Sequence, residues 1–461
     1  MHASSSRHGN VRRPLRPVTV ASICAIALAC MMFDQTSLVV SIPTIGRDLD
    51  AGIAGLQWLS ALMPLVAASA LPASGVLASR YGARAVLRCG LVAFAAGATV
   101  AAVSPDLAML LAARVLQGLG MAMVLPNCPT LLAGNVPAGR RRQRAIGQLL
   151  MIGCVGLLLG PVVGGALVEA LGWRVTFVAL APVALAGAVA AGLLEETARA
   201  EPGRLDLAGM ALAALALGTL SWALIETGRG HASPVMVLTG FGVSAALVVA
   251  FVRTERRVVN PVLDVDLLRV PAVRTLLPAT FGYNAMINGT AFVISLQLQQ
   301  GRGVSASVTG LFMLVGNLGM PIAGPLCAYL RPFVRPSTLM LASMLILAAA
   351  LLLLAAVAQA SLWLSLGPLA VFGLCAGILY SIDTMTMVDA IEGPLAARAM
   401  SALTLMRQIG SVVGIAALAS VGQLSITLGI ATRGETTALL VSGVLLVLVA
   451  LSTGPSLRRL S

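Results

Sequence analysis

Two charged side chains stand where the chain is otherwise apolar. Asp34 lies in Phe33-Asp34-Gln35-Thr36-Ser37, inside an apolar run that begins at residue 18, and Arg114 lies in Leu111-Ala112-Ala113-Arg114, inside another. A charge at the middle of a helix in hydrocarbon costs about 3 kcal/mol on insertion scales, so its retention calls for a partner or a function. A carboxylate there can take up and release a proton, and a guanidinium beside it favours the charged form between those events. At about 1.5 Å per residue, Asp34 falls about 14 Å below the outer end of its run and Arg114 about 10 Å below that of its own. These depths allow contact. An ion pair that only holds two helices together and a pair that couples to protons both fit this placement.

Other chemistries have few carriers. Lysine is absent, which removes the phosphate-binding lysine of an ATPase and any Schiff-base chemistry. His2, His8 and His231 stand outside the apolar runs, no HExxH pattern occurs, and the buried acids are not paired on one helix. The seven cysteines show neither CxxC spacing nor a disulfide framework and read as small buried apolar residues. No enzyme, metal or cofactor is expected; the energy source is an ion gradient, not ATP. The net charge of +13 comes from arginines clustered in short stretches between apolar runs, which fits the membrane surface and excludes nucleic acid as a partner.

The elements that position these side chains are helices in lipid. With 58% hydrophobic and 10% charged residues, the chain lies far from the roughly 25% charged usage of soluble domains. Cutting it at charged or Gly/Pro-marked breaks gives fourteen spans of about 20 residues. They run over 18–43, 54–78, 85–103, 107–129, 145–168, 173–194, 207–225, 234–252, 275–299, 305–329, 337–358, 361–385, 400–424 and 436–454. With both termini inside, 24 of 30 arginines fall on the inner side, and Arg47, Arg174, Arg229, Arg302 and Arg433 fall outside, as the positive-inside rule requires. Residues 1–17 read as a cytoplasmic basic tail ahead of a retained first helix. Shifting the sequence by 254 residues aligns Arg144, Ala145, Leu149, Gly156 and Gly160 with Arg398, Ala399, Leu403, Gly410 and Gly414. The expectation is an internal repeat: six-helix halves over 18–195 and 258–461, with the seventh and eighth spans inserted over 196–257.

Two stretches carry spacing that serves movement. Gly75-Val76-Leu77-Ala78-Ser79-Arg80-Tyr81-Gly82-Ala83-Arg84 joins the second and third spans, with Gly75 and Gly82 suited to close approach and a tight turn and Arg80 and Arg84 to anchoring the inner end. The fifth span holds Gly147, Gly156, Gly160, Pro161, Gly164 and Gly165. Small residues at 156, 160 and 164 make a groove for a neighbouring helix, and Pro161 bends the span. The first of these stretches resembles the signature loop of the major facilitator superfamily, with Ser79 where the family has an acid. The second resembles the antiporter signature of its exporters. Asp34 with Pro43, Arg114, Gln57-Trp58, Asn260-Pro261 and Arg407-Gln408-Ile409-Gly410 extend the likeness to the fourteen-span drug/proton antiporter branch.

The resemblance implies a multi-pass exporter of drugs, antibiotics or secondary metabolites in a bacterial plasma membrane. It implies alternating access, proton coupling through Asp34 and Arg114, and function as a monomer. An uptake symporter or metabolite facilitator on the same fold is the alternative. Gln35, Asn127, Tyr283, Asn284, Asn288, Gln297 and Asn317 are candidates to line the substrate cavity, each also able to serve as an interhelical hydrogen bond. Asp383 is expected near headgroup level at the inner end of the twelfth span. With no acid in the tenth, the expected cargo is neutral, anionic or weakly cationic and lipophilic.

Overall fold

The structure, a computed structural model, describes residues 17–137, 139–196, 206–229, 233–258, 265–391, 394–429 and 433–458. The basic tail before Pro17 and the Asn260-Pro261 stretch lie outside the described residues. All regular structure among the described residues is helical. In chain order the helices are α1 (Pro17–Asp48), α2 (Ile53–Tyr81), α3 (Ala83–Ala102), α4 (Leu107–Val124), α5 (Asn127–Asn135), α6 (Arg140–Leu171), α7 (Arg174–Ala191) and α8 (Leu207–Arg229). There follow α9 (Pro234–Glu255), α10 (Pro271–Leu296), α11 (Ala306–Asn317), α12 (Gly319–Leu330), α13 (Pro336–Ala356), α14 (Leu366–Ala390), α15 (Pro394–Thr427) and α16 (Gly434–Arg458).

Two spans are broken, so sixteen helices make fewer crossings. α4 and α5 are parted at Leu125 and Pro126, and α11 and α12 at Leu318. Pro321 has no N–H for the carbonyl four residues back, which loosens the ladder at that break. Counting each broken pair once, thirteen helices among the described residues are long and apolar enough to cross a membrane. They coincide with all of the expected spans but the ninth. That one, α10, has the length but carries Arg274, Thr275, Thr280, Tyr283, Asn284, Asn288 and Thr290. Twenty of its 26 residues are buried among other helices. A helix walled off from lipid is released from the demand for apolar side chains, which is why hydropathy understates it. α9 is the opposite case: only Gly240, Ser244 and Glu255 are buried, and Val235, Leu238, Val248 and Val249 face outward as a lipid-facing helix requires.

Glycines set the closest packing. α1 lies in a groove of α6, and α10 in a groove of α15, where Gly410 and Gly414 meet the backbone of Phe281 and Ala285. α8 and α9 pack on each other, with α8 also against α2 and α15.

The bundle formed by α1–α7 joins α10–α16 most firmly at one end. There Ser295 Oγ donates to the Val39 carbonyl at 2.5 Å, Gln299 Nε2 to that of Val40 at 2.8 Å, and the Ser307 amide to Glu169 Oε2 at 3.0 Å. Leu38, Ile42, Leu56, Trp173 and Phe177 share a continuous core with α10–α16, whereas Met31, Met63, Phe94 and Leu149, nearer the other end, form a separate core. We name these the Trp173 end and the Gly82 end.

Candidate functional site

Asp34 and Arg114 meet. The start of α4 is fixed by Asp106, whose side chain accepts from the Met109 amide at 2.8 Å, a helix cap that sets the phase of every residue after it. That phase turns Arg114 and Gln117 toward α1. Arg114 Nη1 donates to Asp34 Oδ2 at 2.7 Å and to Gln117 Oε1 at 2.8 Å, and Gln117 Nε2 donates to Asp34 Oδ1 at 3.1 Å. Asp34 and Arg114 are each 1% exposed and Gln117 fully buried. The carboxylate therefore has a donor on each oxygen, while Arg114 Nε is buried without a hydrogen-bond partner. Protonating Asp34 replaces an ion pair with a neutral acid beside an uncompensated guanidinium, a change that a low-dielectric interior resists or answers by moving.

The helix that carries Asp34 is seated on the glycines of α6. A methyl group at Gly156 would overlap the Ala29 backbone, at Gly160 the Thr36 hydroxyl, and at Gly164 it would lie 2.6 Å from Ser37 Cβ. The groove thus grips residues 29–37, the stretch around Asp34. An adjacent side of the same helix, one residue further round, meets the other bundle: a methyl at Gly165 would lie 2.5 Å from the Ala306 carbonyl, and Gly310 is pressed on the Pro161 carbonyl. Gly147 differs from this pattern. It is exposed with nothing within 4 Å, because nine residues from Gly156 are two and a half helical turns and place it on the opposite face of α6.

The loop between α2 and α3 is partly as its sequence indicated. Gly82 has φ +95°, the left-handed region that glycine reaches without strain. Gly75, however, is exposed with no neighbour within 4 Å, so in this conformation it permits no close approach. Arg84 is anchored by Glu196 beyond α7. Its amide donates to Glu196 Oε1 at 2.8 Å, its Nε lies 3.5 Å from Oε2, and its Nη1 donates to the Leu194 carbonyl at 2.9 Å. Ser79, where the family has an acid, turns its hydroxyl back to the Val76 carbonyl. Arg80 is exposed and lies over the Tyr81 ring, 5.4 Å from its centroid.

The cavity candidates divide. Asn127 is buried and donates to Ser74 Oγ at 2.9 Å and the Met123 carbonyl at 2.7 Å, and Asn284 is buried between the Thr280 carbonyl and the Tyr380 hydroxyl. Both are committed to helix contacts. Gln35, Asn288 and Asn317 are half-buried; Gln35 reaches Met121 Sδ at 3.3 Å, Asn288 the Asn284 carbonyl at 3.0 Å and Asn317 the Leu157 carbonyl at 3.4 Å. Gln297, also half-buried, donates to the Ala358 carbonyl at 3.4 Å.

Tyr283 belongs to a second buried charge cluster that the sequence did not announce. It donates to Asp383, which is fully buried among the helices. Thr280 Oγ1 donates to the same carboxylate at 3.1 Å, and Arg407 Nη2 at 2.5 Å. Two geometric facts accompany this burial. α14 continues to Ala390, past the apolar run, and Arg407 on α15 throws its side chain back toward the start of its helix. The available signal was an arginine well inside the thirteenth span with no acid yet assigned to it.

Membrane-length helices packed through glycine grooves around buried charge define a polytopic membrane transporter, and not an enzyme. The chain belongs to the major facilitator superfamily, whose description as Major Facilitator Superfamily matches residues 24–415. It is 32% identical over 399 residues to the methylenomycin A resistance protein of Streptomyces coelicolor, covering 86% of this chain and 84% of that one. It is 31% identical over 402 residues to the multidrug resistance protein Stp of Mycobacterium tuberculosis, covering 86% and 74%. To the cephamycin export protein CmcT of Amycolatopsis lactamdurans it is 29% identical, covering 87% and 85%. The fold is shared with the POT family transporter PepTSo at a TM-score of 0.71, 14% identity and coverage of 97% and 99%. The protein is a multi-pass component of the bacterial plasma membrane.

Proposed function

We propose that this protein exports small lipophilic organic molecules, whether drug, antibiotic or secondary metabolite, in exchange for protons. The resistance and export proteins among its relatives support that direction of transport. One observation carries the coupling: Asp34, ion-paired to Arg114, sits on the stretch of α1 held by the glycines of α6, and α6 also touches the other bundle through Gly165 and Gly310. A proton on Asp34 thereby acts on the helix pair that links the bundles.

In this reading α10 is the fourteenth crossing, both termini are inside, and halves 18–195 and 258–461 rock about a site near the bilayer midplane, with 196–257 inserted. The Trp173 end is then the outer end, closed, and the structure is the inward-facing form. Asp34 takes a proton from outside when that end opens and loses it to the cytoplasm after it closes. Cargo binds the deprotonated inward form and leaves from the outward form. The protein works as a monomer without cofactor, and half-buried Gln35, Asn288 and Asn317 are the better candidates to face neutral, anionic or weakly cationic cargo.

Inside-out vesicles with an acid lumen test this. An antiporter accumulates a lipophilic dye in the lumen, whereas a symporter empties it. Asp34→Asn is expected to abolish accumulation driven by the pH step; full proton-driven accumulation in that variant removes Asp34 from the coupling role.

A further inference from the structure

We propose that Asp383, bound by Arg407 and Tyr283, is a second proton-carrying carboxylate, so that protons pass through both halves of the molecule in each cycle. This rests on the reading of the protein as a proton exchanger.

The setting is that of Asp34 built again from other helices. Asp383 on α14 is fully buried and has donors from three directions: Tyr283 and Thr280 on α10, Arg407 on α15, and Thr384 beside it on α14. α10 and α15 are themselves joined through glycines: a methyl at Gly410 would lie 2.6 Å from the Phe281 carbonyl, and Gly414 and Gly289 are pressed on the backbones of Ala285 and Gly414. In both places a buried acid and arginine therefore adjoin a glycine-packed helix pair, where a change of charge acts on helix position.

The second cluster also has a way in for a proton. Arg407 is 20% exposed, against 1% for Arg114. Its guanidinium lies over the Tyr380 ring, 4.8 Å from the centroid, and donates to Thr384 Oγ1 at 2.7 Å and the Tyr380 carbonyl at 3.0 Å, while its Nε has no hydrogen-bond partner. Arg407, Tyr380, Thr384 and Asn288 are half-buried and stand as an edge between the acid and the accessible surface of the helix bundle. A neighbour of Arg407, Gln408, reaches Met121 on α4 at 4.0 Å, so this edge borders the other bundle. On α12 the titratable side chain toward α14 at this level is Cys327, whose thiol donates to the Ile378 carbonyl. A pair kept only for architecture gains nothing from an open edge, since exposure weakens the shielding that makes a buried pair strong.

The step is a simple proton transfer. A proton delivered through water adds to a carboxylate oxygen of Asp383, giving the neutral acid; Arg407 keeps its charge, loses its counter-ion and keeps its bonds to the Tyr380 carbonyl and Thr384. The proton returns to water when the edge faces the other side.

Infrared difference spectra of the full-length protein in lipid vesicles, recorded as pH is stepped, read protonated carboxyl groups directly and need no transported substrate. Two slowly deuterium-exchanging carboxyl bands are expected in the wild type, one lost completely in Asp34→Asn and the other in Asp383→Asn. If Asp383→Asn fails to fold, Asp383→Asn combined with Arg407→Gln removes both charges and keeps hydrogen-bonding capacity. Identical titrating bands in wild type and in the Asp383 variants overturn the proposal. A band removed by Asp383→Asn with none removed by Asp34→Asn keeps it and overturns the role given to Asp34.

Discussion

Arg114 Nη1 lies 2.7 Å from Asp34 Oδ2 across 80 residues of chain, and both side chains are withdrawn from solvent. Removing one member of such a pair strands the other charge, at about 3–5 kcal/mol, whereas replacing both leaves uncharged side chains of similar size. Arg114→Met is therefore expected to lower thermal stability in detergent sharply, and Arg114→Met with Asp34→Asn to recover much of the loss. Size-exclusion chromatography after stepwise heating measures both. A double variant less stable than the single one contradicts mutual charge compensation.

The glycines of α6 are unequal despite their regular spacing. Gly156→Leu must push α1 away at Ala29, and overpacking of this kind costs typically about 1–3 kcal/mol and more where backbone is in the way. Gly147→Leu meets open space and adds an apolar side chain to an exposed face. Membrane abundance and dye export are expected to collapse in the first variant and to stay near wild type in the second. Equal damage from both refutes the packing argument.

How far the site was legible depended on which distances the sequence encodes. Depth along a span is encoded, through 1.5 Å per residue, and it made Asp34 and Arg114 compatible partners. The face a residue presents to its neighbours is not, so Gly75 and Gly147 shared a pattern with glycines that pack and proved open. The burial of Asp383 is not encoded either, because it depends on Thr280 and Tyr283 of α10 and Arg407 of α15 converging on it from distant parts of the chain. α10 was legible as the span 275–299, although its apolar character is weak for a crossing, because polar side chains such as Tyr283 and Asn284 are hidden by other helices. Glu196, which anchors Arg84, belongs to no motif and is 112 residues away in the chain.

Glu196 leads to the next expectation. It supplies acceptors for the Arg84 amide and stands against the guanidinium, whereas Ser79 bonds only within its own helix turn. Glu196→Gln keeps an acceptor but loses the charge, and Glu196→Ala loses both, exposing the first turn of α3 and freeing Arg84. Because Arg84 and Glu196 are partly exposed, the stability change is expected to be modest, about 1 kcal/mol or less for Gln and larger for Ala. Ser79→Ala is expected to change little. Thermal stability of the three variants, compared side by side, decides; a Ser79→Ala loss exceeding that of Glu196→Ala places the anchor at the wrong residue.

Closure of the Trp173 end depends on the absence of a side chain at Gly310, which rests on the Pro161 carbonyl. Valine there clashes only while α6 and α11 are in contact, so it penalises this conformation against one in which they part. At about 1–3 kcal/mol for overpacking, the ratio of opened to closed form rises roughly 5- to 150-fold. Ser295→Cys supplies a near-isosteric reporter, since Ser295 is buried and bonded across the joint to the Val39 carbonyl. The seven native cysteines are free thiols, Cys89 among them exposed, so the experiment belongs in a background where they are replaced. Labelling of the reporter by a membrane-impermeant maleimide is expected to accelerate several-fold or more with Gly310→Val. An unchanged labelling rate means that the joint between α6 and α11 does not control access at that end.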